Sequence, residues 1–286
     1  MTAEAAPPGA NADQIAYWNA QAGETWAAWQ ERLDRQIEPL GRRAMEALAP
    51  RAGERIIDIG CGCGQTTLEL AGQVGPSGDV LGVDVSAPML AVAARRPTNA
   101  GAGGARFRQA DAQVFAFEPA GADAAFSRFG VMFFADPLAA FANIRTGLTQ
   151  GGRLAFVCWR CVADNPFMTL PFAAALPFLP EPPPPTDPLA PGPFAFADGE
   201  RLRGILEAAG FNDIALTAHD QAIGAGNLEE STETALRIGP LGRILREQPA
   251  LESMVRAAVR AALAPHATPA GVLIASASWI VTAKNP

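Results

Sequence analysis

The sequence predicts an α/β fold: a mostly parallel sheet with helices on both faces. Three observations predict it. Short apolar runs such as 55–59 and 79–84 alternate with segments of helical spacing. A glycine-rich turn at 58–64 joins one such strand directly to a helix. Of the 286 residues, 49% are hydrophobic, enough for one large core with a cap.

Residues 1–12 are expected to be disordered. Residues 13–48 read as an N-terminal helical cap, with Asp13 as its first capping residue and aromatic weight from Tyr17, Trp18, Trp26 and Trp29. The nucleotide-binding core is predicted over 49–160. Strand 55–59 is followed by a helix from Gln65 to Val74, with Leu68, Leu70, Ala71 and Val74 inward. Strand 79–84 leads to a helix over 86–96, with Ser86 at its N-cap. Strands follow at 105–109 and 123–128. Asp136 and Pro137 then open a helix that ends before Gly151, and a strand is predicted at 152–159.

The alternation breaks at 161–197, a proline-rich stretch carrying Phe167, Met168, Leu170, Phe172, Phe178 and Leu179. A long irregular segment in a compact domain is usually functional, so it reads as an inserted lid. Its apolar side chains must cover a pocket, a partner subunit as in a homodimer, or both. The core resumes over 198–286. It has a helix capped by Asp198, a strand near 212–217, a helical insertion near 228–264 and a final strand at 272–283.

Composition excludes some functions. A net charge of −7 with no basic cluster argues against nucleic-acid partners. No apolar run reaches the roughly 20 residues of a membrane span. The N-terminus lacks the basic start and apolar core of a secretory signal, so a cytoplasmic location is expected. Cys61/Cys63 and Cys158/Cys161 then read as free thiols, with a metal or redox role as the alternative.

The chemistry concentrates in D-I-G-C-G-C-G, Asp58 to Gly64. Gly60, Gly62 and Gly64 let backbone approach a ligand where a Cβ would intrude. The G-x-G-x-G spacing places the third glycine one residue earlier than the dinucleotide fingerprint does. Asp58 precedes the glycines, where a carboxylate suits a cationic amino-acid end and repels a pyrophosphate. Asp84 ends the second strand, placed to accept from two ribose hydroxyls. Asp111, after the third strand, is placed to accept from an adenine amino group.

These motifs resemble the class I S-adenosylmethionine (SAM)-dependent methyltransferases, and among them the ubiquinone and menaquinone biosynthesis methyltransferases and their small-molecule relatives. The resemblance covers about 13–160. It is carried by Y-W-N at 17–19, R-I-I-D-I-G-C-G-C-G at 55–64, L-G-V-D-V-S at 81–86, A-D-A at 110–112, F-S-R-F-G-V-M-F-F at 126–134 and G-G-R-L at 151–154. It implies a Rossmann-like seven-stranded sheet with a final antiparallel strand, SAM as cofactor and a small-molecule acceptor. It further implies that Asp58 and the backbone of Gly60, Cys61, Gly62 and Gly64 hold the methionine portion. Asp84 would bind the ribose, with Val85 and Met89 beside the adenine. Asp111 and Ala112 would read the adenine edge, Ser127 would sit near the methionine amino group, and Tyr17 and Trp18 would close the pocket. No metal is implied.

For a hydroxyl acceptor a general base is required, whereas an amine or activated carbon needs none. His219 is the histidine candidate. Arg128, at a strand end, either binds an anionic acceptor or pairs with a core acid. The cysteine pairs leave room for a metalloid-methylating reading. The rival classes are a nicotinamide-dependent oxidoreductase on the same sheet and a SAM-binding module without catalysis.

Overall fold

The computed structural model describes residues 9, 11–96, 101–180 and 187–286. Strands β1 (Arg55–Ile59), β2 (Asp79–Asp84), β3 (Gly104–Gln109), β4 (Ala122–Arg128) and β5 (Leu148–Trp159) run parallel. After β6 (Asn212–Ile223), a small hairpin, β7 (Ala267–Thr268) and β8 (Gly271–Val272), leads into β9 (Ile274–Lys284). β9 inserts antiparallel between β5 and β6, so the described sheet has the order β3-β2-β1-β4-β5-β9-β6. The order reverses between β1 and β4, and the carboxyl ends of strands flanking such a switch point form the natural ligand crevice.

The cap comprises α1 (Ala12–Asn19), α2 (Gln21–Ala28) and α3 (Gln30–Leu48). The core helices are α4 (Gln65–Val74), α5 (Ala87–Ala93) and α6 (Pro137–Thr146). Then come α7 (Pro166–Ala175), α8 (Gly199–Ala208), α9 (Leu228–Arg237), α10 (Gly239–Glu247) and α11 (Glu252–Leu263). Ser86, Asp136 and Asp198 cap α5, α6 and α8 through their side chains, as their positions predict. Asp13 caps nothing. α1 begins at Ala12, and the residue before it, Asn11, spends its side chain on Asp111 and Ala135 instead. The expected disorder of 1–12 falls mainly on residues outside those described.

Phe126, Phe141, Phe156 and Phe196 are fully buried at the centre, with Phe141 5.6 Å from Phe156 and 5.9 Å from Phe196. Phe196 belongs to the stretch read as a lid, which is therefore not one irregular unit. Its start forms α7, anchored by the fully buried Asn165. That side chain donates to Cys161 O and Ala277 O and accepts from Ala277 N. Ala175 of α7 then joins Leu236, Leu241, Val255 and Val259 in a second core, with Phe167, Leu170 and Phe172 packed against it. The proline run 182–185 lies outside the described residues. No helix among the described residues is long and apolar enough to cross a membrane.

α3 is welded to the sheet by charge as well as packing. Leu40, Ala44 and Leu48 face the core, while Asp34 bonds both Arg96 (2.7 Å) and Arg128 (2.9 Å). Arg128 also donates to Gln65 at 2.5 Å. Of the two roles open to Arg128, pairing with a core acid is the one seen.

Candidate functional site

The turn after β1 is shaped by its glycines. Gly60, Gly62 and Gly64 hold φ of 68°, 52° and 82°, a region a side chain disfavours. A Cβ on Gly60 would lie 2.7 Å from Gly130 Cα. The N–H groups of Gly60 and Cys61 both donate to Val83 O, at 2.8 and 3.2 Å, which folds the turn back over the end of β2. Asp58 is wholly buried. Its Oδ2 accepts from the Thr66 and Thr67 hydroxyls at 2.7 Å each, and its Oδ1 has no donor among the described residues. Burial outweighs these bonds and lifts the carboxyl from 3.8 to about 6.

Asp84 ties two loops together. Its carboxylate accepts from Gly62 N at 2.7 Å and from Ser86 N at 2.8 Å. Burial pushes its pKa above the usual carboxylate value, and the backbone donors offset only part of that rise. Asp111 Oδ1 accepts from Gln113 N (2.9 Å) and Asn11 Nδ2 (3.1 Å). Ser127 is an internal brace: its hydroxyl donates to Ile59 O at 2.8 Å and accepts from Gly130 N at 3.2 Å.

A cavity of about 130 Å³ opens at these carboxyl ends. Ile59, Gly60, Asp84, Val85 and Met89 line one side, and Ala110, Asp111 and Ala112 the next. Asn11, Gln14, Trp18 and Trp26 of the cap close it, and Ile37, Arg128, Phe129, Phe133 and Phe134 complete the wall. It is tighter than the roughly 300–1,000 Å³ of ordinary ligand sites. Trp18 narrows it, packed edge-on against Phe133 (5.2 Å) and Trp26 (5.9 Å).

Of the residues singled out in the sequence, Trp18, Gly60, Asp84, Val85, Met89, Asp111, Ala112 and Arg128 line this cavity. Tyr17 does not: it is 53% exposed and meets only the edge of Trp18. Asp58, Gly62, Gly64 and Ser127 are not in the lining, though Gly62 N is bonded to Asp84 and the Ser127 hydroxyl to Ile59 O and Gly130 N. Cys61 is buried, its sulfur directed at Gly82, where a Cβ would come within 2.9 Å of it. Burial pushes the Cys61 thiol up, and that of Cys63 up to about 12, so both sulfurs stay protonated and poor ligands. His219 lies on the edge strand β6, its Nε2 3.0 Å from Gln221 Oε1, away from the cavity.

The sequence reading missed Asn11, Gln14, Trp26, Ile37, Phe129, Phe133 and Phe134. The run F-S-R-F-G-V-M-F-F contained three of them as a signal. Phe129 holds a φ of 62°, strained for a bulky residue, and stacks on Trp159 at 4.0 Å.

This strand order, with a glycine turn after β1 and acids after β2 and β3, defines the class I SAM-dependent methyltransferase fold. The comparisons agree: residues 56–152 match a methyltransferase domain family, which supports a class I SAM-dependent methyltransferase core. It is 34% identical over 118 residues to an aklanonic acid methyltransferase of a Streptomyces species, covering 41% of this chain and 54% of that one. It is 37% identical over 113 residues to a demethylmenaquinone methyltransferase of Thermus thermophilus, covering 40% and 50%. The matches thus span about half the length of these curated relatives. A phosphoethanolamine N-methyltransferase of Haemonchus contortus shares the fold at a TM-score of 0.58 and 18% identity, covering 94% of this chain and 59% of that one. The nicotinamide alternative is thereby set aside.

SAM is the cofactor of this family, and the residues present fit it. Asp58 carries a buried oxygen without a donor among the described residues, Gly60 brings bare backbone to the cavity wall, and Asp84 keeps lone pairs beyond its two backbone bonds.

Proposed function

We propose that this protein transfers the methyl group of SAM to an oxygen, nitrogen or carbon atom of a small, partly apolar acceptor. The observation that carries the reading is the mixed lining of one cavity. Asp84 and Asp111 follow β2 and β3, Phe129, Phe133 and Phe134 follow β4 across β1, and Trp26 and Ile37 of the cap add to the apolar wall. The bound cofactor supplies an electrophilic methyl on a sulfonium, an excellent leaving group. The protein's own work is therefore placement and exclusion of water. Asp84 accepts from the ribose hydroxyls. Asp111 and Ala112 take the adenine edge, with Val85 and Met89 beside the ring. The turn at 60–64 holds the methionine portion, and Trp18 covers it.

The described lining supplies no histidine, lysine or cysteine. Asp84 and Asp111 already accept from backbone N–H groups, and Arg128 is committed to Asp34. The reading therefore favours an acceptor that reaches the site already nucleophilic: an ionised oxygen, a neutral amine or an activated carbon. The proposal includes a monomer or homodimer in the cytoplasm with no nucleic-acid partner, supported by four unpaired cysteines and a net charge of −7. The test is release of S-adenosylhomocysteine from SAM across a panel of phenols, enols, carboxylates and amines. Turnover with at least one class supports the proposal. Cofactor binding without turnover on any member supports a SAM-binding module instead.

A further inference from the structure

Asn11, at the start of α1, and Gln14 within it bring two amide side chains to the cavity wall, and the oxygen of one lacks a partner among the described residues. Asn11 is fully engaged: Nδ2 donates to Asp111 Oδ1 at 3.1 Å, and Oδ1 accepts from Ala135 N at 2.8 Å. Because Asp111 Oδ1 also accepts from Gln113 N, its other oxygen, Oδ2, is the one left for a ligand. Gln14 stands one helical turn beyond Asn11 and one turn before Trp18, and positions three and four apart share a helix face. All three line the cavity. Gln14 Oε1 is buried and accepts no hydrogen bond among the described residues. A buried amide oxygen without a donor is costly, and on a side chain that lines the cavity it gains most from a donor on whatever fills that cavity.

We infer that Gln14 accepts one exocyclic N–H of the adenine while Asp111 accepts the other, so that the pair selects a 6-amino purine. The inference rests on the cofactor site proposed above. An amino group has two protons, and one carboxylate oxygen satisfies only one of them. The two acceptors that these lining residues hold free, Gln14 Oε1 and Asp111 Oδ2, match that demand in number. A 6-oxo purine would instead set its own carbonyl oxygen against both acceptors. The α1 helix thus reads the base as well as covering it, and Asn11 orients Asp111 for the task.

Calorimetric titration of the full chain with S-adenosylhomocysteine and with its 6-oxo analogue, S-inosylhomocysteine, tests this. Wild-type protein should favour the amino form strongly. Gln14→Leu, which keeps bulk and removes the acceptor, should weaken S-adenosylhomocysteine roughly tenfold, about one neutral hydrogen bond. It should leave the inosine form within about twofold, so the preference shrinks. Gln14→Glu keeps an acceptor and should retain the preference. An unchanged S-adenosylhomocysteine affinity in Gln14→Leu overturns the assignment. So does equal weakening of both ligands, the mark of a merely structural role. If wild-type protein binds neither ligand, the cofactor site itself fails, a result that is visible before any variant is made.

Discussion

Replacing Asp84 with alanine should damage the fold and the cofactor site separately, and the two losses can be read apart. In the folded protein the carboxylate accepts from Gly62 N at 2.7 Å and Ser86 N at 2.8 Å. The alanine variant leaves both N–H groups without an acceptor. Each unsatisfied buried donor costs roughly 1–3 kcal/mol, so the ligand-free protein should lose about 2–6 kcal/mol, towards the low end if water enters the gap. From position alone, at the end of a strand, Asp84 would be expected to serve only the ligand and to leave the fold intact. The structure adds a structural duty to the proposed one. Loss of two hydrogen bonds from ribose hydroxyls to a charged acceptor should remove about 3 kcal/mol of cofactor affinity as well. Urea unfolding with and without S-adenosylhomocysteine measures both: the ligand-free midpoint should fall, and the ligand-induced rise should nearly vanish. An unchanged ligand-free midpoint would show that the two backbone bonds contribute nothing. An unchanged ligand-induced rise would remove Asp84 from the cofactor site.

Burial lifts Asp58 from 3.8 to about 6, so the folded state binds its proton more tightly than the unfolded state. Its contribution is present below about pH 3.8 and lost as pH rises through about 6, roughly 3 kcal/mol in all; wild type minus Asp58→Asn, in urea midpoints across that window, should show this fall, and a flat difference refutes it. Asp34→Ala should destabilise by about 2–3 kcal/mol, because it strips the largely buried Arg128 of its counter-charge and leaves it only Gln65. A change under about 1 kcal/mol in the same measurement would show the pair to be solvated. Replacing 167–172 with a Gly-Ser linker should lower the thermal midpoint sharply, since Phe167, Leu170 and Phe172 pack on the second core. Full stability with loss of methyl transfer alone would restore the lid reading.

The strand–turn–helix core was legible because its signals are local. The strands at 55–59 and 79–84 and the helix at 65–74 fall where periodicity and glycine spacing put them. The caps at Ser86, Asp136 and Asp198 likewise need only three or four adjacent residues. What escaped depends on tertiary partners. Arg128 could be placed at a strand end, but its commitment to Asp34, 94 residues away, is a property of how α3 crosses the sheet. Phe196 looks like any phenylalanine in a proline-rich stretch, and only its burial against Phe141 in the folded chain makes it core. Asn11 fell within the expected disordered tail, because its partners Asp111 and Ala135 are at least 100 residues distant. Tyr17 and Trp18 were indistinguishable by composition. Neighbours on a helix point about 100° apart, so one faces the cavity and the other faces water.

Isothermal titration with S-adenosylhomocysteine tests most directly whether the turn at 58–64 and the acids at 84 and 111 form a SAM site. Saturable binding at one ligand per chain is expected, with a matching thermal shift. At 100 times the dissociation constant, linkage adds about 2.7 kcal/mol to stability. No heat and no shift with either SAM or S-adenosylhomocysteine, together with saturable binding of NAD, would contradict it.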